Sequence, residues 1–449
     1  MSLHYFGTDG IRGTYGEAPL DLPTLRRLGY ALGRWLALRQ PDRKLRIVAG
    51  RDPRLSGPAI LAAVAEGLIA LGHEVTDLGV LPTPAVPMAL LDQRADFGLM
   101  ITASHNPPAD NGVKLFDDRG LKLEHLAELE IEGWLDREPA PDFAPRQPIL
   151  PKSDAIESYC RSRAALLPPN ALAGWTIALD PGHGATCQTT PEVFRRLGAT
   201  VKIHAGEPDG ARINVGSGSE HPEKLAELVR ASKARLGFAH DGDGDRLVAC
   251  DESGTVVDGD QILGILALHA LRRGQLNAGV LVATVQSNLG LDQAVQAAGG
   301  RVIRVPVGDR NVLHELLELN ASLGGENSGH FIFPEQACCG DGLLAALMLT
   351  RVLLETGRPL SSLRTDVPLL PQLTANLRVR EKIPLETLPN FFTALCHTEE
   401  KLAGRGRILA RYSGTEKKLR LLVEGPNRAE LATLLASLKA AAVTDLGAE

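Results

Sequence analysis

Three times along the chain a short β-branched apolar run is followed by a Gly-rich or charged loop, a helical stretch, a glycine and a second apolar run. The first copy runs from Leu45–Ala49 through the loop Gly50–Gly57 and a helix over Ala59–Leu71 to Gly72 and Glu74–Thr76. The second takes Trp175–Leu179, a helix over Pro191–Leu197, Gly198 and Thr200–Ile203. The third takes Val280–Val285, a helix over Leu289–Ala298, Gly299-Gly300 and Val302–Val305. Each copy predicts a βαβ unit, because glycine supplies a left-handed helix cap and a short connection favours parallel strands with a right-handed crossover.

Breaks in this pattern divide the chain. Five prolines between Glu138 and Pro151 (Pro139, Pro141, Pro145, Pro148, Pro151) predict a linker. An acidic, Gly-containing segment from Asp251 to Asp260 precedes a helix over Gln261–Arg272, and Pro368 and Pro371 mark a third break. Beyond it the order changes to a strand over Leu373–Val379, a helix over Leu385–Cys396, strands over Arg407–Tyr412 and Lys418–Glu424, and a helix over Arg428–Ala442. The expected fold class is therefore α/β: three related α/β domains with mixed or parallel sheets (1–150, 151–253, 254–367) and a smaller C-terminal α+β domain (368–449). A length of 449 residues accommodates them.

Composition narrows the partners. Lys plus Arg number 48 against 54 Asp plus Glu, and aromatics make up 4%, the reverse of a basic, stacking nucleic-acid binder. No apolar stretch approaches the roughly 18–20 residues that span a bilayer. Residues Met1–Gly10 show no basic region followed by an apolar run, and six scattered cysteines without a CxxC fit a reducing cytoplasm. P-loop, HExxH, GxSxG and GxGxxG motifs do not occur.

Four strings carry chemistry. Asp241-Gly242-Asp243-Gly244-Asp245-Arg246 packs three carboxylates into five residues, and a cation relieves their repulsion. An EF-hand would use Asp241, Asp243, Asp245 and Glu252, but Arg246 stands where its turn needs glycine and Leu247–Cys250 is strand-like; oxygen-only ligands favour Mg²⁺. Thr102–Pro108 follows the apolar run Phe97–Ile101 at the carboxyl end of a predicted strand, the ligand edge of α/β sheets, so Ser104 is a candidate nucleophile or phosphate carrier. Lys114 lies close enough to offer that pocket a cation or an acid. Gly324–His330 combines Glu326, Ser328 and His330, which suits a polyhydroxylated ligand. Arg411–Arg420 places Arg411, Ser413, Gly414, Thr415 and Arg420 between strands, a candidate phosphate cradle.

Together with Phe6–Gly13 (FGTDGIRG), these strings resemble, in order, the landmark motifs of the α-D-phosphohexomutases. The resemblance spans the chain and implies four domains around a central cleft. It implies Ser104 as a phosphoserine, and Mg²⁺ held by Asp241, Asp243, Asp245 and a phosphoserine oxygen. Arg12 and Arg246 would add positive field; Lys114 and His330 would transfer protons, with His105 a second candidate. Glu326 and Ser328 would hold sugar hydroxyls, and Arg411, Ser413, Gly414, Thr415 and Arg420 the idle phosphate. The opening and the loops Gly325–His330 and Arg411–Glu416 are most similar to the branch that interconverts glucosamine 6- and 1-phosphate with a sugar 1,6-bisphosphate as activator. Mannose or glucose phosphates are the alternative substrates. Homodimerisation is a family-level expectation. The chain departs from the family pattern at Lys417-Lys418, where proline is usual, and at His240 and Asn311, where aromatic residues are usual; the last two are outside the expected phosphoryl chemistry and can tune the sugar pocket.

Overall fold

The computed structural model describes residues 3–7, 9–41, 43–137, 149–151, 154–413 and 416–447. All three repeats fold as βαβ units. Strand Arg46–Arg51, helix Gly57–Ala70 and strand Glu74–Val80 form the first, with parallel strands and Gly72 at φ +83° between helix and return strand. Thr176–Asp180, Thr189–Arg196 and Thr200–Ile203 form the second, and Val280–Thr284, Leu289–Ala297 and Arg301–Val305 the third. Gly198 and Gly299 take positive φ, as the left-handed cap requires.

Each unit is the centre of a mixed sheet. In the first, Phe97–Ile101 pairs parallel with Arg46–Arg51, and antiparallel strands Asp110–Phe116, Gly10–Thr14 and Phe6–Gly7 extend that edge. In the second, Leu236–Ala239 lies parallel to Thr176–Asp180, and Val248–Cys250 and Val256–Val257 continue antiparallel. In the third, Gly324–Gly325 and Phe331–Ile332 complete four strands. The C-terminal sheet is wholly antiparallel, with Lys418–Glu424 between Gln372–Arg378 and Arg407–Tyr412.

One apolar core runs through the first three units, taking in Val48, Met100, Phe238, Leu263 and Leu344. A separate core around Phe391, Leu421 and Leu435 belongs to the C-terminal unit alone. Burial of continuous apolar surface binds the first three units into one body, while the fourth keeps its own. No helix among the described residues is long and apolar enough to cross a membrane.

The C-terminal helices differ from expectation. The first begins at Pro389 and runs to Leu402, with Leu385–Thr387 a separate 3₁₀ turn, because proline belongs at a helix start and not in its interior. The last continues to Leu446. Helices Leu22–Arg39, His125–Arg137, Ala155–Ala164, Pro222–Ser232 and Gly342–Thr356 were not anticipated. Of the Pro-rich linker, residues 138–148 lie outside the described residues; Leu150–Pro151 pairs with Thr76–Asp77.

Candidate active site

Strand Phe97–Ile101 delivers its following loop to the carboxyl edge of the first sheet. Ser104 sits there at φ +52°, a left-handed turn that non-glycine residues adopt at a cost of about 1–2 kcal/mol. The turn is held from three sides. The Thr102 hydroxyl accepts from Ser104 N (2.9 Å) and donates to Asp52 (2.6 Å). The buried Arg54 guanidinium, paired with Asp52 at 2.9 Å, donates to the carbonyls of Ser104 (2.9 Å), Asn106 (2.8 Å), Asp110 (2.8 Å) and Pro107. Asn214, from the second unit, donates to Ser104 O at 2.8 Å. So fixed, Ser104 donates from Oγ to Asp241 Oδ2 at 2.6 Å, and His105 Nδ1 lies 3.3 Å from Ser104 Oγ.

The aspartate loop follows strand Leu236–Ala239 and meets Ser104 closely enough to need glycine: a Cβ at Gly242 would lie 2.6 Å from Ser104 O. Asp241, Asp243 and Asp245 are buried, each offering an oxygen within 4.8 Å of the others'. Burial, then Asp245 and Asp243, pushes the Asp241 carboxyl up to about 7. Lys114 Nζ donates to Asp243 (2.8 Å) and Asp245 (2.9 Å) and lies 3.1 Å from Asp9. Burial opposes its charge, but these carboxylates hold it well above the usual lysine value. Among the described residues nothing partners the buried Asp243 Oδ1. Three converging oxygen donors, one unsatisfied and one carboxyl raised by its neighbours, fit a hard divalent cation such as Mg²⁺.

A cleft of about 600 Å³ has Arg12, His105, Arg246, Glu326, Ser328 and His330 in its wall, among them the chain neighbours of Ser104 and Asp245. Burial, then Arg246 and Arg12, lowers His105 to about 4, so its ring is neutral. His330 donates to Glu326 Oε2 and Asp245 Oδ1, both at 3.0 Å. Burial opposes its charge, yet Asp245 raises it to about 10. Glu326 Oε1 accepts from Gly308 N at 2.9 Å, joining the sugar-type loop to the loop Val307–Asp309.

Arg411 and Arg420 face each other across adjacent C-terminal strands. Burial and Arg420 lower the Arg411 guanidinium, and among the described residues nothing partners the buried Arg420 Nε. Arg420 Nη2 also lies 3.4 Å from Glu416 Oε2, so one carboxylate is set against two guanidiniums and a lysine, and the local excess of positive charge favours an anion. Ser413 Oγ lies 3.4 Å from Arg420 Nη2; Gly414 and Thr415 lie outside the described residues. Gln286 lines both the recess beside these arginines and the main cleft, so the two adjoin. Of the two departing lysines, Lys418 pairs with Glu416 at 2.5 Å and Lys417 is exposed.

His240 does not line the cleft: its ring is buried between the Thr190 hydroxyl (3.1 Å) and Arg246 O (2.9 Å). Asn311 donates to Val307 O, on the cleft loop, at 3.0 Å. Sequence reasoning missed Asp9, Asp52, Arg54, Asn214, Lys122 and Asp309. Asp9 lies inside the string Phe6–Gly13, and Asp52 and Arg54 gave a local signal as a charged loop after a predicted strand.

Four family models tile the chain. They are described as phosphoglucomutase/phosphomannomutase alpha/beta/alpha domain I (residues 3–141), domain II (157–254), domain III (258–369) and the C-terminal domain (375–441). The chain belongs to the phosphoglucomutase/phosphomannomutase family, and with it to the isomerases that act as intramolecular phosphotransferases. It is 44% identical to the phosphoglucosamine mutase of Moorella thermoacetica over 440 residues, 97% of this chain and 98% of that one. To the phosphoglucosamine mutase of Symbiobacterium thermophilum it is 42% identical over 448 residues, 98% and 99% of the two chains. Among solved structures it is similar to a phosphoglucomutase/phosphomannomutase family protein from Burkholderia thailandensis (TM-score 0.81, 25% identity, 99% and 98% coverage). The fold is shared with Aspergillus fumigatus N-acetylphosphoglucosamine mutase, solved with GlcNAc-6P and magnesium (TM-score 0.67, 18% identity, 98% and 95% coverage).

Proposed function

We propose that this chain interconverts glucosamine 6-phosphate and glucosamine 1-phosphate through a phosphoserine at Ser104 and a glucosamine 1,6-bisphosphate intermediate. The observation that carries the reading is the 2.6 Å contact of Ser104 Oγ with Asp241 of a buried aspartate triad, next to the cleft residues His105 and Arg246. The 1-hydroxyl oxygen of the sugar bonds to the phosphorus on Ser104 as the Oγ–P bond breaks. The hydroxyl proton passes to a base and Oγ ends protonated. The bisphosphate then turns in the cleft, and its 6-phosphoryl group returns to Ser104 by the reverse step. Mg²⁺ held by Asp241, Asp243, Asp245 and a phosphoserine oxygen would neutralise charge on the transferring group.

The chain's own residues supply the rest. Arg12 and Arg246 add positive field beside Ser104. Lys114 and His330 are the proton-transfer groups of the reading, and neutral His105, beside Oγ, is a further acceptor. Glu326 and Ser328 hold sugar hydroxyls in either orientation. Arg411, Ser413, Gly414, Thr415 and Arg420 grip the idle phosphate, so the bisphosphate is retained while it turns. The units 1–150, 151–253, 254–367 and 368–449 thus contribute the phosphoserine, metal, sugar and phosphate loops respectively. The same reading has a sugar 1,6-bisphosphate prime Ser104, a homodimeric enzyme, and a cytoplasmic place supplying amino-sugar nucleotides for cell-wall precursors.

The test is the specificity constant of the Mg²⁺-supplied protein on glucosamine, mannose and glucose 6-phosphates, each with its 1,6-bisphosphate. The expected result is a clear preference for the amino sugar; preference for mannose or glucose would reassign the substrate and keep the mechanism. Ser104→Ala should lower turnover by on the order of 10⁴ or more without unfolding the protein. Wild-type-like turnover by that variant would remove Ser104 from the mechanism.

A further inference from the structure

The cleft wall carries three carboxylates among the described residues, Asp9, Asp309 and Glu326, and they differ in what already binds them. Glu326 is committed at both oxygens, Oε2 to His330 and Oε1 to Gly308 N. Asp9 is committed at both as well, Oδ1 to Lys122 and Oδ2 to Arg12 and Lys114. Asp309 is not. Its Oδ2 accepts from Lys122 Nζ at 2.6 Å, and among the described residues nothing donates to Oδ1. The residue is 8% exposed and lines the cleft.

The charge around it points the same way. Lys114, Asp9, Lys122 and Asp309 form a chain of alternating sign that starts at the aspartate triad and ends at the cleft. Asp9 has Arg12 and Lys114 besides Lys122, whereas among the described residues Lys122 is the one cation paired with Asp309. Asp309 also adjoins Gly308, whose N–H is bonded to Glu326, and so stands next to the loop proposed to hold the sugar ring. A buried, half-satisfied carboxylate facing a ligand recognises a cationic donor far better than a neutral hydroxyl.

We infer that Asp309 is the specificity residue for the amino sugar, its free oxygen receiving the 2-ammonium group of glucosamine phosphate. This rests on the substrate reading above, and the experiment separates the two. Specificity constants for glucosamine 6-phosphate and glucose 6-phosphate, each with its matching 1,6-bisphosphate, are measured for wild type and for Asp309→Asn. The wild-type ratio tests the substrate; the change of that ratio on substitution tests Asp309. Loss of the carboxylate charge should lower the amino-sugar to glucose ratio by roughly 30- to 100-fold, the cost of leaving a buried ionic partner without its mate. Asp309→Glu, which keeps the charge, should retain more of the ratio than Asp309→Asn. An unchanged ratio in Asp309→Asn, whether both constants fall together or neither moves, overturns the assignment. Asp309→Ser, small and compatible with a helix start, repeats the measurement if the asparagine variant does not fold.

Discussion

At Asp241 the conflict that defines the site is concentrated in one carboxyl group. Burial and two neighbouring aspartates raise it to about 7, so the folded chain holds a proton there that the unfolded chain releases near the ordinary carboxylate value. A raised carboxyl contributes stability below its unfolded pKa, and that contribution is lost as pH climbs through about 7 in the metal-free protein. A divalent cation competes with the same proton. Mg²⁺ affinity should therefore be flat above about pH 7 and weaken by up to about tenfold per unit below it, with a proton released on binding at pH 6 and none at pH 8.5. Titration calorimetry across that range checks both; an affinity that does not change with pH would remove Asp241 from the ligand set. This residue was legible because its chemistry is written locally, three carboxylates with alternating glycines. Lys122 was not, because its partners Asp9 and Asp309 lie 113 and 187 residues away.

At the scale of elements, the loop after one strand is built by the loop after its neighbour. Strand Arg46–Arg51 lies beside Phe97–Ile101, so Asp52 and Arg54 emerge next to Ser104 and Arg54 gathers four carbonyls of the serine loop. Arg54→Met should cost about 3–5 kcal/mol, because it strands the buried Asp52 charge as well as those carbonyls. Asp52→Asn added to Arg54→Met should recover part of the loss. Urea unfolding of the two variants measures this, and a cost below about 1 kcal/mol for Arg54→Met would contradict the organising role. The βαβ repeats could be read from sequence because an apolar run, a helical stretch and a stop glycine repeat in one order. Helix Leu22–Arg39 was hidden by Gly29 and Gly33, residues that disfavour helix interiors. Gly29 is there for packing: a Cβ would lie 1.9 Å from Val64 O, and one at Gly67 2.2 Å from Tyr30 N, so the two helices touch backbone to backbone.

Across the whole molecule, the order of four units followed from the motifs, but how the fourth is attached did not, since its contacts are single charged residues far apart in sequence. With its own core, that unit meets the third through a polar joint. Arg407 donates to Glu424 (2.7 Å), to Val285 O (3.0 Å) and to Ser287 O, while Glu424 accepts from Leu289 N at 2.7 Å. The clamped segment carries Gln286, the residue common to the cleft and the arginine recess. Arg407→Ala leaves a fully buried Glu424 short of its cation and frees the phosphate loop to wander from the sugar site. Two sites that must hold one bisphosphate then lose their fixed spacing, which weakens binding of a ligand that spans both. The expected result is a KM for glucosamine 6-phosphate raised about tenfold, with Mg²⁺ affinity unchanged because the triad belongs to the other, continuous core. Proteolysis within Val367–Gln372, the segment joining the two bodies, should accelerate in the same variant. Equal KM values and equal cleavage rates in variant and wild type would show that something other than Arg407 holds the fourth unit against the cleft.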